Sequence, residues 1–374
     1  MPSWLKEGRG SLCGANVSLL LRERGITKPL LVAGERTKNV FFARTGMRLL
    51  VFDAFHPNPD LQDCVAGAAL YQEKGCDGLI SIGGGSAMDT AKGIKALLMT
   101  DIAHVRANQL PPEGKVPHLA IPGTAGTGAE TTAVAVLYED GQKLSVDHPA
   151  LLPDGVLLDG SLLDTLPEYH RKSCAMDALA QGIESWWAKK ATPGSRIHAE
   201  RAIRGVLDNL TAYLQGDRKA QDEMLHAAYE SGVAILTTRT TAAHAMSYQI
   251  TKKLGAAHGH ACMLTLPHLW AHLAAQAEYQ PMLTELAHIL GGEKPMDGAV
   301  LLRGLLAVLE LDKIPMPDDA TLDMLAASVN PERLGNHPEA LTTAQLRAIY
   351  VQAFTPMTDT ERAEAIAAWE QYGK

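Results

Sequence analysis

Cysteine is scarce. Only five of the 374 residues are Cys, scattered as Cys13, Cys64, Cys76, Cys174 and Cys262, with no C-x-x-C pair. An odd, dispersed set offers no disulfide framework. It fits a reducing cytoplasm and thiols that mostly pack in the interior. Positive charge is also short: 34 Lys and Arg face 42 Asp and Glu, giving a net charge of −8 and a pI near 6.0. That balance argues against nucleic acid as a partner. No apolar run is long enough to span a bilayer, which argues against a membrane partner. The opening residues MPSWLKEGRG are polar and lack the apolar stretch of a secretory signal, so a cytoplasmic location is expected. Internal repeats and low-complexity tracts are missing as well. What remains is an ordinary globular mix, 46% hydrophobic and 20% charged, at a length that suggests two domains.

The first part alternates short apolar runs with helical patterns. KPLLVAGERT and MRLLVFDAF read as strands, and LQDCVAGAALYQEKG reads as an amphipathic helix. CDGLISIGGGS is a strand entering a glycine turn, and AMDTAKGIKALLM is the helix after it. HLAIPGTAGTG repeats the strand-then-turn scheme. Strands alternating with helices imply a parallel sheet covered on its faces. After about residue 165, Ala, Leu, Glu and His dominate at helical spacing. LPEYHRKS reads as a hinge, and residues 166–374 as an all-helical domain.

Two turns in the first part carry chemistry. Gly83, Gly84, Gly85 and Ser86 follow an apolar strand and open a helix, where bare backbone N–H groups and the helix dipole favour a phosphate. A tight strand-to-helix turn alone would look the same. The second turn, GTAGTG at 123–128, favours a nucleotide, because both turns fall at the carboxyl edge of the sheet, where such sheets bind dinucleotides.

In the helical part, AMDALAQGIES places Asp177 and Gln181 one turn apart on one face, among alanines and leucine. A carboxylate in such a setting needs a partner or a metal. His244 lies in RTTAAHAMSYQIT, and His258 and His260 lie in AAHGHACMLTLP. One His on an apolar face is more often a packing residue. Asp, Gln and several His in the apolar helices of one domain match the way bundles build metal sites, and the donors suit Fe(II) or Zn(II).

These motifs together resemble the iron-containing (group III) alcohol dehydrogenases. GGGSAMDTAKGI, IPGTAGTGAETT, LLPDGVLLDGSLLDTLP and the Asn-Pro of FHPNPD fall in the family's order, with Gly123 where Thr is usual. The resemblance implies a Rossmann-like α/β domain binding a nicotinamide dinucleotide over 1–165. It also implies an all-α domain for metal and substrate over 166–374, a fold shared with dehydroquinate synthase. In that family an Asp-x-x-x-His is followed by two His fourteen positions apart. Asp177, His244 and His258 match, while Gln181 stands where the first His is expected. Two readings of Gln181 follow: a weaker ligand through its carbonyl oxygen, or a dispensable metal, as in the related maleylacetate reductases. Tyr248 stands where another His is frequent.

RTTAAHAMSYQITKKLGAAHGHACMLTLP, Gln181, DGQKLSVDHPALLPD and NPERLGNHP further resemble the phosphonoacetaldehyde reductase branch. That implies reduction of a small anionic aldehyde to 2-hydroxyethylphosphonate. Arg239, alone in the uncharged run GVAILTTRTTAAHAM, suits a phosphonate, although pairing with a surface acid is the usual fate of an Arg. Tyr248, His260 or water would return the proton. On the cofactor side the resemblance assigns Gly34, Arg36, Asn58, Asp89, Thr124, Thr127, Gly128 and Lys143 to the dinucleotide. Gly34 replaces the acid that favours NAD, and Arg36 follows it, so NADPH is expected, with NADH tolerated. A homodimer is carried over from the family. Competing expectations are a general short-chain alcohol dehydrogenase and a dehydroquinate synthase-like lyase that uses its nicotinamide only transiently.

Overall fold

The structure is a computed structural model and describes residues 5–112 and 116–372. The start of the polar opening segment lies outside the described residues. Packing divides the chain into Met1–Leu166 and Pro167–Lys374.

The first unit contains strands β1 (Leu5–Glu7), β2 (Pro29–Ala33), β3 (Leu50–Phe52), β4 (Gly78–Gly83), β5 (His118–Pro122), β6 (Val134–Glu139), β7 (Gln142–Asp147) and β8 (Gly155–Leu158). Its helices are α1 (Gly14–Glu23), α2 (Glu35–Thr45), α3 (Leu61–Lys74), α4 (Gly85–Met99) and α5 (Ile102–Arg106). Six strands form one sheet in the order β1-β8-β5-β4-β2-β3, and every pairing is parallel. The apolar runs of β2, β4 and β5 are buried along their whole length because helices cover both faces. Alternation divides their side chains between two cores. Leu30, Val32 and Leu79 join Leu61, Cys64 and Ile94 on one face, while Leu31, Ile80 and Ile82 meet Val17, Leu20 and Phe41 on the other.

β6 and β7 form a separate antiparallel hairpin. It turns through Asp140 (φ 49°) and Gly141 (φ 72°), the two consecutive left-handed residues that a type I′ turn requires. This hairpin is absent from the sequence expectation, although Asp-Gly between strand-forming residues is its signature. It is tied to α4 by Lys92, whose buried Nζ donates to Ala129 O (2.7 Å), Thr132 Oγ1 (3.0 Å) and Val134 O (2.9 Å).

Among its described residues the second unit has helices and no strand: α6 (Glu168–Trp187), α7 (Pro193–Leu214), α8 (Arg218–Thr238), α9 (Ala242–Gln249), α10 (His258–Ala274), α11 (Gln280–Leu290), α12 (Asp297–Val308), α13 (Asp319–Ala327), α14 (Pro331–Leu334), α15 (Thr343–Phe354) and α16 (Asp359–Tyr372). The segment expected as a hinge is instead the start of α6, because Pro167 sits at its N-cap and leaves Glu168 onward free to coil. From Ala175 to Trp187 every residue of α6 is buried, so this helix is the axis of the bundle. Its neighbours start on side-chain caps: Thr192 and Ser195 form a capping box on α7, and Asp217 accepts from Ala220 N on α8. α9 runs into a π-helical turn over Ile250–Leu254, which Gly255 ends in the left-handed region (φ 74°). That turn sets the direction in which α10 returns past α6.

Candidate active site

At the carboxyl edge of the parallel sheet, Gly83 ends β4, Gly84 is the N-cap of α4, and Gly85 is its first residue. The neighbouring turn after β5 leans on them. Gly123 N–H donates to Gly83 O at 2.7 Å, and a methyl on Gly123 would lie 3.2 Å from Gly83 Cα. A side chain at 123 would therefore make this approach tight and push the two turns slightly apart. A groove there is lined by Gly34, Arg36, Gly83, Gly84 and Ser86. Gly34 is the N-cap of α2, so two helix N-termini open onto it. Asn58, itself left-handed (φ 55°), donates its backbone N–H to Ser86 Oγ at 3.2 Å. Thr127 Oγ1 accepts from Ala129 N at 3.3 Å, and Gly128 takes φ 58°. Thr124 lies beside Gly84. Burial pushes the Asp89 carboxyl up to about 6, against the pull of Lys92, the Val136 N–H and Lys143. Gly34, Arg36, Asn58, Thr124 and Thr127 therefore lie with the turn over residues 83–86 at one edge.

In the helical unit a second cluster forms. α6 presents Asp177, Gln181 and Glu184 at i, i+4 and i+7, α9 presents His244, and α10 presents His258 and Cys262 one turn apart. His244 Nε2 lies 3.3 Å and His258 Nε2 3.8 Å from Asp177 Oδ1, and Cys262 Sγ lies 3.9 Å from His258 Nε2. One ligand atom from each of Asp177, His244, His258 and Cys262 falls within 4.8 Å of all the others. A carboxylate, two imidazoles and a thiol at this separation have the chemistry and reach to hold one divalent ion. Asp177, His244 and Cys262 are buried, whereas the His258 side chain is 38% accessible, so the cluster is reached from that side.

The electrostatics favour charged donors. Burial opposes ionisation of Asp177, but the imidazoles of His258 and His244 outweigh it and hold the carboxyl below its ordinary range. Burial likewise opposes a Cys262 thiolate, yet the same two imidazoles bring the thiol down to about 7. Behind them lies Glu184, fully buried. It accepts from Thr241 Oγ1 (2.6 Å) and Ala243 N (2.8 Å) and contacts His244 Nδ1. Despite burial, the neighbouring His244 keeps Glu184 ionised below its usual range. Glu184 thereby leaves Nε2 of His244 to face the cluster. Glu184→Gln is expected to weaken metal binding about 10- to 100-fold, the usual effect of removing such a supporting carboxylate. Chelator competition measures this, and unchanged affinity would leave Glu184 a folding residue only.

Sequence reasoning missed Cys262, treating the thiols as packing. The available signal was its position four residues after His258 on a helix. Gln181 faces Asp177 Oδ1 with its Nε2 at 3.5 Å, and its Oε1 lies 2.8 Å from Ser231 Oγ, a hydroxyl also 2.8 Å from Ala228 O. His260 points away from the cluster, its Nε2 on Leu311 O (2.8 Å) and its Nδ1 near Tyr169 Oη (3.1 Å). Tyr248 stacks on His258, ring centres 6.3 Å apart. Arg239 closes α8 at φ 62° and donates from Nη1 to Leu236 O at 2.6 Å. Two residues on, Thr241 bonds Glu184.

Residues 3–160 match the family model for iron-containing alcohol dehydrogenase, and residues 172–354 match the model for the C-terminal part of that family. The NAD-dependent methanol dehydrogenase of Bacillus methanolicus is 30% identical over 299 residues, 75% of this chain and 77% of that one. The chain belongs to the iron-containing alcohol dehydrogenase family. The first unit carries the glycine edge, and the second carries the cluster of metal donors. The probable alcohol dehydrogenase EutG of Salmonella typhimurium is 32% identical over 67% of this chain. The phosphonoacetaldehyde reductase of Streptomyces viridochromogenes is 36% identical over 57% of it. The chain spans 63% and 58% of those two relatives' lengths. Among solved structures, sulfoacetaldehyde reductase from Bifidobacterium kashiwanohense superposes with a TM-score of 0.85 at 25% identity, covering 95% of this chain and 97% of that one. Relatives named for different substrates thus match comparably, and the phosphonoacetaldehyde branch does not stand out.

Proposed function

We propose that this enzyme is a metal-dependent, NAD(P)H-linked reductase of short-chain aldehydes, working also as an alcohol dehydrogenase in reverse. The buried Asp177, His244, His258 and Cys262 cluster carries this reading. When bound, the nicotinamide supplies the hydride, and the metal polarises the carbonyl oxygen as a Lewis acid. The chain's own residues bind, orient and handle the proton. Gly83, Gly84, Gly85, Ser86, Thr124, Thr127 and Gly128 hold the dinucleotide phosphates, with Asn58, Asp89 and Lys143 around them. NADPH is the expected donor, with NADH also accepted. Lys38 is already neutralised between Glu35 (2.5 Å) and Asp53 (2.8 Å), while Arg36 donates to the neutral Thr165 Oγ1 and keeps its charge for a 2′-phosphate. Tyr248, stacked on His258, or water returns the proton. His260, with both ring nitrogens engaged, does not. A homodimer fits β1, a short strand at the edge of its sheet.

A second reading narrows the substrate to a small anionic aldehyde, phosphonoacetaldehyde, reduced to 2-hydroxyethylphosphonate. Arg239 favours it, a half-buried cation in the turn that leads through Thr241 to His244. The names of two relatives point the same way. Arg239→Ala is then expected to raise KM for phosphonoacetaldehyde about 10- to 100-fold, the scale of one charge-assisted hydrogen bond, and to leave acetaldehyde nearly unchanged. Equal losses on both substrates would sink the clamp. The function itself is tested by NADPH oxidation with acetaldehyde, propanal and phosphonoacetaldehyde, on metal-stripped protein and after adding Fe(II) or Zn(II). Turnover restored by metal supports the reductase. No net NADPH oxidation on any aldehyde would move the chain toward the synthase-like class.

A further inference from the structure

We propose that Cys262 is a thiolate ligand of the metal and that Gln181 is not a ligand. The centre of this chain is then an Asp177, His244, His258, Cys262 set. The proposal rests on the metal-linked reading above and deepens it.

Three observations converge. Cys262 lies one helical turn after His258 on α10, so both side chains leave the helix on one face, and Sγ stands 3.9 Å from His258 Nε2. Its Sγ belongs to the only group of clustered His, Cys, Asp and Glu donors found among the described residues. Cys262 is fully buried, where an apolar residue of its size would do for packing alone. Gln181 shows the opposite arrangement. Its amide nitrogen faces Asp177 Oδ1 at 3.5 Å, while its Oε1 lies on the side of Ser231, 2.8 Å from an Oγ that is shared with Ala228 O. An amide N–H beside a carboxylate is favourable, and a carbonyl oxygen there is repelled, so Asp177 itself holds Gln181 in this orientation. Gln181 therefore orients Asp177, while the sulfur completes the donor set.

The donor set has a chemical consequence. A thiolate with two imidazoles and one carboxylate is softer than an all-nitrogen and oxygen set, and it favours zinc and cobalt over iron. The full chain, stripped and reloaded, should retain Zn(II) or Co(II) in direct competition with Fe(II).

The test needs no substrate. Co(II) is added to the metal-free chain at one equivalent, and the near-ultraviolet spectrum is read for the sulfur-to-cobalt charge-transfer band. We expect that band in the wild-type chain, its loss in Cys262→Ser, and its persistence in Gln181→Leu. X-ray absorption of the zinc-loaded wild type should show a sulfur neighbour at about 2.3 Å. This second measurement stands even if Cys262→Ser fails to fold. A wild-type chain that binds cobalt without the band, or a band that survives Cys262→Ser, overturns the proposal, as does loss of the band in Gln181→Leu with cobalt still bound. The outcome is separate from the reductase reading. A sulfur-ligated ion without aldehyde turnover would defeat the function and keep the ligand, and turnover without sulfur ligation would do the reverse.

Discussion

Exchanging Asp177 for Asn is expected to strip the metal from the cluster and to lower aldehyde turnover by about 100- to 1,000-fold, the range for losing one stabiliser of a developing oxyanion. Asp177 is the hub: His244, His258 and Gln181 all approach its Oδ1, at 3.3, 3.8 and 3.5 Å. The substitution keeps shape and volume, so α6 should still pack. It removes the only carboxylate of the donor set, and an amide oxygen is a poor substitute. The two imidazoles would then lose the carboxylate they share and keep only the Cys262 sulfur as an acidic donor, which weakens the hold on a cation. Metal content by elemental analysis and turnover with acetaldehyde are the two readouts, with thermal unfolding to verify the fold. A variant that stays folded, keeps one ion per chain and turns over as before would remove Asp177 from the metal site.

Gly259→Ala is expected to destabilise the helical unit and to empty the metal site together. α10 crosses α6 with backbone against backbone at this point. A methyl on Gly259 would fall 1.9 Å from Ser173 O and 2.7 Å from Asp177 N and Asp177 Cβ. Helix backbone cannot turn aside as a side chain can, so the two helices must separate. Overpacking of this kind costs about 1–3 kcal/mol, and here the upper end applies because two of the three near atoms are main chain. The bond from His260 N to Ser173 Oγ (3.1 Å) spans the same crossing and would stretch with it. The residues on either side of the strain are His258 and Asp177, so a shift of about 1 Å moves one ligand from the other and is enough for a rate loss of about 100-fold. A lower Tm together with lost metal is the expected pair. An unchanged Tm and full metal content would mean that the helices do not meet this closely.

Much of the fold is written locally. Apolar runs such as LLVA and LISI can bury only if both faces of the sheet are covered, which is why they announce a parallel sheet. Gly83 to Ser86 between a strand and a helix mark an anion-friendly edge wherever such a sheet lies. The β6–β7 hairpin was legible too, in Asp140 and Gly141, but its short alternating flanks give a weaker signal than the buried strands around it. The hinge expected around LPEYHRKS is a helix, because Pro167 starts a helix as readily as it breaks one.

The metal donors were legible unequally. Asp177 stood out because an acid in an alanine-rich helix must be compensated, and His244 and His258 stood out through the resemblance. Cys262 did not, since a lone thiol in an apolar helix is ordinarily packing. Only the crossing of α10 over α6, permitted by Gly259, brings its sulfur beside an acid 85 positions away and a histidine from a third helix. Gln181 reads as a ligand in the sequence because the helical period puts it on the face of Asp177. Which end of its amide faces the cluster depends on Ser231, supplied by α8, and on the carboxylate itself. The sequence by itself determined the kinds of element, the glycine edge and the acid that needs a partner, because these follow from period, burial and backbone freedom within a few residues. Tertiary structure alone decided which donors converge and which are turned away, because that depends on how closely helices distant in the chain can approach.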